Sequence, residues 1–278
     1  MDIQTGDIET GDIEQIAAAA EAADGAAPLD EATWLALRHH PERVRRWASE
    51  HGFALLIGDE LTLVVHPDAR ARGEGASLLD GVLAKASGPL SAWSHGDHPA
   101  AAALAKRHGF DRVRELWVMR RPSSVPLPPL REPEGVAVRG YRPEDAEELV
   151  RVNAAAFASH PEQGAMDEAN LAERMAEPWF DPAGLLVAMD GEQLLGFHWT
   201  KRHSPELGEV YVVGIDPAAQ GRGLGKALTL AGLHHLVDGG AREILLYVES
   251  DNAPAVAVYS GLGFEHASAD THVMYRWG

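Results

Sequence analysis

The stretch Asp216-Pro217-Ala218-Ala219-Gln220-Gly221-Arg222-Gly223-Leu224-Gly225 decides how this chain is read. Before it, residues 209–215 form a near-continuous β-branched run, as a buried central strand would. After it, residues 223–237 carry helical periodicity. A glycine-rich turn between strand and helix leaves several N–H groups pointing outward at the positive end of the helix dipole. That arrangement binds a phosphate or pyrophosphate. Gly223 and Gly225 lack a Cβ, so phosphates can approach the main chain. Two commoner phosphate loops fail. The Walker loop needs glycine where Gln220 stands and a hydroxyl residue where Ala227 follows Lys226. The dinucleotide fingerprint needs a third glycine where Leu228 stands.

Working outward, residues 136–141 read as a short strand and 143–158 as a helix with Leu149, Val152 and Phe157 on its apolar face. Strands are expected at 184–189 and 193–200 around an Asp190-Gly191 turn, and at 243–249. A helix over 253–260 is capped by Asn252 and stopped by Gly261-Leu262-Gly263. Two strands, 264–266 and 271–276, close the chain. This order predicts an α/β fold (an α+β mixed sheet).

Five prolines between Arg121 and Gly135 rule out helix and sheet interior there. Three regions are therefore expected: a domain over 1–121, a linker over 122–135 and a domain over 136–278. The halves repeat each other. Leu63-Val64-Val65-His66-Pro67 and Arg72-Gly73-Glu74-Gly75 parallel Val213-Gly214-Ile215-Asp216-Pro217 and Arg222-Gly223-Leu224-Gly225. Downstream, His108-Gly109-Phe110 parallels Leu262-Gly263-Phe264, and Val118-Met119 parallels Val273-Met274. Ordered matches at a nearly constant offset point to an internal duplication.

The net charge of -18, with lysine only at positions 85, 106, 201 and 226, opposes binding to nucleic acid or to anionic membranes and suits a cationic substrate such as an amine. No cysteine is present, which excludes disulfides and thiolate metal sites. No apolar run is long enough for a membrane span, and the acidic, Ala-rich start does not read as a secretory signal, so a cytoplasmic protein is expected. Adjacent His234 and His235 point in different directions on a helix, and no metal is assigned.

The Gln/Arg-x-x-Gly-x-Gly/Ala pattern, in this element order, resembles the GCN5-related N-acetyltransferase (GNAT) family. The resemblance implies two tandem GNAT domains, a loop that holds the pyrophosphate of acetyl-CoA, and acetyl transfer to an amine. Such a reaction needs a base for the amine, donors for the carbonyl oxyanion and an acid for the departing thiolate. Glu209, at the start of the central strand, is the candidate base, acting directly or through water. By resemblance Tyr259 is the acid, and main-chain N–H groups near Val213, at an expected bulge, are the oxyanion donors.

The first half keeps the loop's outline, but Glu74 replaces Leu224 and is expected to set a carboxylate beside the phosphate. The Tyr259 position corresponds to Ala105, and Asp59 falls opposite Glu209. Residues 41–61 leave little room for two strands. This half therefore reads as a degenerate, non-catalytic copy.

A narrower resemblance, carried by Ala156-Phe157-Ala158-Ser159-His160-Pro161-Glu162-Gln163-Gly164, Leu195-Gly196-Phe197-His198-Trp199-Thr200-Lys201 and Leu246-Tyr247-Val248-Glu249-Ser250-Asp251-Asn252, is to the mycothiol synthase family. It implies acetylation of the cysteinyl amine of the thiol-sugar cysteinyl-glucosaminyl-inositol, the last step of mycothiol biosynthesis. It places that substrate against Glu162, Lys201, Glu209 and Tyr247, with Glu31 from the first half. It places acetyl-CoA along Val213, Gly214 and Ile215, along Gln220, Gly221, Arg222, Gly223, Leu224, Gly225 and Lys226, and along Asn252, Ala253, Pro254, Ala255, Val256 and Ala257. The matching first-half positions are Leu63, Val64, Val65, Ala71, Arg72, Gly73, Glu74, Gly75 and Ala76. A monomer is expected. Two alternatives stay open: acetylation of another amine such as a protein N-terminus, and a non-catalytic CoA-binding module.

Overall fold

Residues 8–158 and 163–278 are described by a computed structural model. In chain order the elements are α1 (Thr10–Asp24), α2 (Glu31–His39), β1 (Val44–Ala48), β2 (Gly52–Ile57), β3 (Glu60–Val65), α3 (Glu74–Leu83), β4 (Leu90–Ser94), α4 (Pro99–Arg107), β5 (Asp111–Pro122), β6 (Ala137–Gly140), α5 (Ala146–Ala156), α6 (Glu168–Met175), β7 (Leu185–Asp190), β8 (Gln193–Arg202), β9 (Leu207–Ile215), α7 (Leu224–Asp238), β10 (Glu243–Glu249), α8 (Ala253–Gly261) and β11 (Glu265–Trp277).

Contacts gather these residues into two units. The first takes the chain up to Trp117, with Glu249–Asp251 and Ala267–Gly278; the second takes Val118–Val248 and Asn252–His266. The division follows packing rather than a single cut within 122–135. Val273–Trp277 pairs antiparallel with Ser94–Leu90 of β4, and Val273 and Tyr275 are buried in the first unit's core. Residues 265–277 form one strand rather than the expected two, because Ala267-Ser268-Ala269-Asp270 offers no glycine or proline to reverse the chain.

In the first unit β1, β2 and β3 are consecutive antiparallel neighbours, and β3 pairs parallel with β4. The shortage of room expected for strands before Leu61 is overturned. The strands are short and their turns tight: the Ser49 amide donates to the Gly52 carbonyl at 2.9 Å, and Gly58 (φ +62°) reverses the chain before β3. Asp59 lies exposed in that turn rather than on the strand. Alternation divides β2 between two faces, with Phe53 and Leu55 packed with Ile13, Ala17 and Leu37, and Ala54 and Leu56 packed with Leu78 and Val82.

In the second unit the strand order is β10-β9-β8-β7-β6, parallel between β10 and β9 and antiparallel thereafter. Most of β8 is buried, as the apolar run Leu194-Leu195-Gly196-Phe197-His198-Trp199 requires. Val187, Phe197 and Trp199 pack with Leu149 and Val152 of α5, while Ala188 and Leu195 pack with Leu224 and Leu228 of α7. The sheet thus has α5 and α6 on one face and α7 on the other.

One polar residue is buried in the middle of β8. His198 bonds through Nδ1 to the Leu228 carbonyl of α7 at 2.8 Å, so that nitrogen is assigned the proton, and Gly232 gives it room: a Cβ there would lie 2.1 Å from the ring. Burial pushes the imidazole down to about 4 from an ordinary 6.5. The folded value lies below the unfolded one, so the stabilisation is complete above pH 6.5 and is lost as pH falls toward 4. Urea unfolding should show a loss approaching roughly 3 kcal/mol across that window. His198→Asn, which keeps a donor for the Leu228 carbonyl, should flatten the slope.

Candidate active site

The phosphate-loop stretch folds as its residues dictate. The Asp216 carboxylate accepts from the Ala218 amide at 2.9 Å, closing the 3-10 turn Pro217–Ala219. Arg151 holds the same carboxylate at 2.8 Å and keeps it well below the usual carboxylate range. Gly221 (φ +81°) and Gly223 (φ +78°) then take left-handed backbone, which turns the chain into α7. The first amides of α7 have no helical acceptors, and a Cβ built on Gly221 or Gly223 meets nothing within 4 Å. The loop therefore faces open space, with Arg222 and Lys226 exposed beside it. That is the room and polarity a pyrophosphate requires.

Beside the loop the sheet parts. The β9–β10 ladder runs from Leu207 opposite Glu243 to Val210 opposite Leu246 and stops, although β9 continues to Ile215 and β10 to Glu249. The β8–β9 register also shifts at this point: Trp199 faces Val212 and Thr200 faces Val210, so Tyr211 is the extra residue of a bulge. The bulge was expected near Val213 and lies two residues earlier, where the last parallel pair ends. Backbone amides that leave the ladder here are the available oxyanion donors.

Glu209 sits one residue before the parting and is 5% exposed. It stands opposite Lys201 on β8 and Leu245 on β10, and residues so paired share a sheet face. Tyr247, two residues beyond Leu245, points to that same face and is exposed. Lys201, Glu209 and Tyr247 are thus brought together on the face that carries α5 and α6, opposite α7. The Lys201 ammonium lies over the rings of Trp179 (4.7 Å) and Tyr211 (5.2 Å), and Arg174 donates to the Tyr211 hydroxyl at 2.9 Å. Trp179, Phe180 and Trp199 complete this aromatic wall. No spacing in the sequence announced it, because its members come from three separate segments.

Tyr259 projects from α8, whose N-terminus is capped by Asn252 accepting from the Ala255 amide at 3.2 Å. The residues 252–257 named for the cofactor are this helix's cap and first turns. Burial pushes the Tyr259 phenol above its ordinary value, so it carries its proton at neutral pH. The far end of α8 is held by Arg121, fully buried, whose Nε donates to the Leu262 carbonyl at 2.8 Å. No local sequence signal marks Arg121, because its partner is 141 residues away.

In the first unit the corresponding loop adopts the same backbone. Ala71 (φ +61°) and Gly73 (φ +90°) match Gly221 and Gly223, and His66 caps the preceding turn as Asp216 does. Parallel pairing of β3 with β4 covers only Glu60–Ser91 and Leu61–Ala92 before these strands also part. A cleft of about 440 Å³ opens there, lined by Leu63, Val64, Val65, Ala71, Gly73 and Gly75 among others. The expectation that Glu74 sets a carboxylate beside a phosphate is corrected. Glu74 is 5% exposed, and its carboxylate turns into the protein to accept from the Ser49 hydroxyl (2.7 Å) and the His51 amide (3.2 Å). The Phe110 amide bonds to the Ala105 carbonyl as that of Phe264 does to Tyr259, so Ala105 does stand where the phenol would be. Glu31 opens α2 in this first unit, and Glu162 lies outside the described residues.

A central strand that splits from its parallel neighbour, followed by a glycine-rich turn into a helix, defines a GNAT-type acyltransferase fold. The profile described as "Acetyltransferase (GNAT) family" matches residues 150–264. A tandem GNAT protein from the clavulanic acid biosynthesis pathway shares the fold with a TM-score of 0.72 at 20% identity, covering 96% of this chain and 94% of that one. A GCN5-related N-acetyltransferase from Sphaerobacter thermophilus does so at 0.69 and 22% identity, covering 96% and 91%. A protein of a Nocardioides species named mycothiol acetyltransferase is 67% identical over 99% of this chain and 100% of its own length. One of the same name from Actinosynnema mirum is 50% identical over 92% of each. The chain belongs to the mycothiol acetyltransferase family.

The open space before Gly223 supplies a direct check. Gly223→Val puts a branched side chain into the loop mouth and forces it to hold left-handed backbone, at about 1–2 kcal/mol. Calorimetric titration should show loss of acetyl-CoA binding at this loop while the chain stays folded.

Proposed function

We propose that this chain transfers the acetyl group of acetyl-CoA to the cysteinyl amine of cysteinyl-glucosaminyl-inositol, completing mycothiol. The observation that carries the reading is the position of Glu209, buried at the point where β9 and β10 part and abreast of Lys201. The identity of the relatives named mycothiol acetyltransferase supports the choice of acceptor.

Acetyl-CoA supplies the acyl group as a thioester. The amides and glycines of Gln220–Lys226 cradle its pyrophosphate, and Val213–Ile215 and Asn252–Ala257 flank the cleft that takes the rest. Glu209 receives the proton of the cysteinyl ammonium, and the free amine then attacks the thioester carbonyl. Amides freed at the Tyr211 bulge stabilise the carbonyl oxygen, the Tyr259 hydroxyl gives its proton to the departing thiolate, the second proton of the attacking nitrogen restores the phenol, and Glu209 returns its proton to solvent. Lys201, Tyr247 and Glu162 supply donors and a carboxylate to the sugar, the inositol and the ammonium. The acidic field of the chain favours the cationic acceptor, while local backbone dipoles hold the anionic donor.

The first unit is proposed as a non-catalytic copy, since neither Asp59 nor Ala105 can serve as base or acid. Because Glu74 is turned inward, its cleft, with Leu63–Val65 and Ala71–Ala76, is proposed to hold a second acetyl-CoA.

Wild-type enzyme incubated with acetyl-CoA and cysteinyl-glucosaminyl-inositol should yield the N-acetylated product by mass spectrometry, and a peptide acceptor should not. Glu209→Gln should lower kcat by about 100-fold or more with acetyl-CoA binding kept, and Tyr259→Phe by about 10-fold or more. A normal rate for Glu209→Gln at neutral pH would remove it as the base. Titration should count two acetyl-CoA per chain, falling to one in Gly73→Val with turnover retained; turnover lost in Gly73→Val would instead place the first loop in catalysis.

A further inference from the structure

The base assigned to Glu209 is not alone. Its Oε2 lies 2.6 Å from Nε2 of His203. The two residues approach from different strands. Glu209 is on β9, and His203 follows the end of β8, in the turn that joins the two strands. That turn is built to hold the imidazole still. The His203 amide donates to the Leu207 carbonyl at 3.0 Å, and the Ser204 hydroxyl accepts from the Glu206 and Leu207 amides at 3.2 and 3.1 Å. Arg202 ties the same turn to the end of α7 through the Gly239 carbonyl at 2.7 Å and to Pro205 at 2.8 Å.

We propose that His203 is the positioning residue of the catalytic base: its Nε2–H holds Oε2 of Glu209 so that Oε1 is presented to the substrate ammonium. This rests on the reading of Glu209 as base. A contact of 2.6 Å between a carboxylate oxygen and a ring nitrogen requires a proton between them, and with Glu209 ionised that proton belongs to the imidazole. A carboxylate fixed at one oxygen has the other free to accept. The side-chain exposures support the division of labour, with Glu209 at 6% and His203 at 35%, so the histidine links a buried base to solvent.

The charge of His203 then matters. A neutral ring donates its hydrogen bond and leaves the carboxylate basic. A protonated ring still donates but adds a cation at 2.6 Å, which favours the ionised carboxylate and opposes its taking the ammonium proton. Histidines ordinarily change charge between pH 5 and 8. The other charged groups around the pair come from each packed element. Lys201 stands opposite Glu209 on β8, with its ammonium over Trp179 and Tyr211. Arg202 and Glu206 belong to the turn, where both have backbone or hydroxyl partners. Glu243 of β10 stands opposite Leu207 and is paired with Arg120 at 2.8 Å. Tyr247 lies farther along β10. Of these, His203 is the group in hydrogen-bond contact with Glu209.

The test is steady-state kinetics on the full chain with acetyl-CoA and cysteinyl-glucosaminyl-inositol, measured from pH 5.5 to 9. His203→Ala should lower kcat by about 10- to 100-fold with KM for acetyl-CoA little changed. His203→Gln, whose amide can donate from nearly the same place, should recover kcat to within about threefold of wild type at pH 8. Combining His203→Ala with Glu209→Gln should cost nothing beyond Glu209→Gln alone. Wild-type kcat in His203→Ala overturns the inference, as does a His203→Gln variant that is no faster than His203→Ala. A normal rate in Glu209→Gln instead overturns the reading of the base itself, whatever the His203 variants do. Equal melting temperatures and equal acetyl-CoA affinity across the set separate positioning from loss of the turn.

Discussion

The molecule's chemistry depends on one unfinished ladder. Four pairs join β9 to β10 and then the strands part, which leaves main-chain donors and acceptors on both edges without partners from the sheet. In most sheets such edges are paired or covered. Here they border the gap between the parted strands, and a ligand with amide and carbonyl groups of its own can complete what the protein leaves open. The bulge at Tyr211 falls at the same level, so the last paired residue, the extra residue and the buried carboxylate of Glu209 are neighbours in sequence.

Electrostatics in this protein is a matter of distance. The chain as a whole is strongly acidic, yet its loop suits a polyanion. Screening confines the overall field to roughly 10 Å in ordinary salt, whereas helix amides act in direct contact. Arg151 adds a supporting detail. It bonds both Glu148 and Asp216, so the carboxylate that shapes the loop is neutralised from behind rather than by the loop's own cations. Arg222 is shared with Asp190 at the rim, and Lys226 remains exposed.

The duplication shows which features the two copies share and which they do not. Backbone geometry persists: the capped 3-10 turn, the left-handed residues at 71 and 73, the short parallel ladder and the hydrogen bond from Phe110 to Ala105 all have counterparts. Side chains do not. A carboxylate replaces Leu224 by finding Ser49 and His51 inside the protein, and an alanine replaces the phenol. The loop's form is thus kept by main-chain geometry alone, while the side chains at the matching positions have diverged.

Local signals made most elements of the second half legible. The Asp190-Gly191 turn, the β-branched run of β9, the Asn252 cap and the Gly221 and Gly223 turns are decided by steric and capping preferences within a few residues. Resemblance of motifs then named Glu209, Lys201, Tyr247 and Tyr259. What required tertiary structure was long-range. The direction of the Glu74 carboxylate depended on Ser49, 25 residues away, and the unity of β11 on its pairing with β4. The bulge position depended on register with β8, the Arg121 anchor on Leu262, and the His203–Glu209 contact on the turn between two strands. By itself the sequence determined the loop, the helices and the kind of ligand they suit, because those follow from dihedral preference and from dipoles within one turn. Only the fold decided which carboxylate stands beside a histidine where two strands part and which is buried against Ser49 and His51, because that depends on partners brought close by packing.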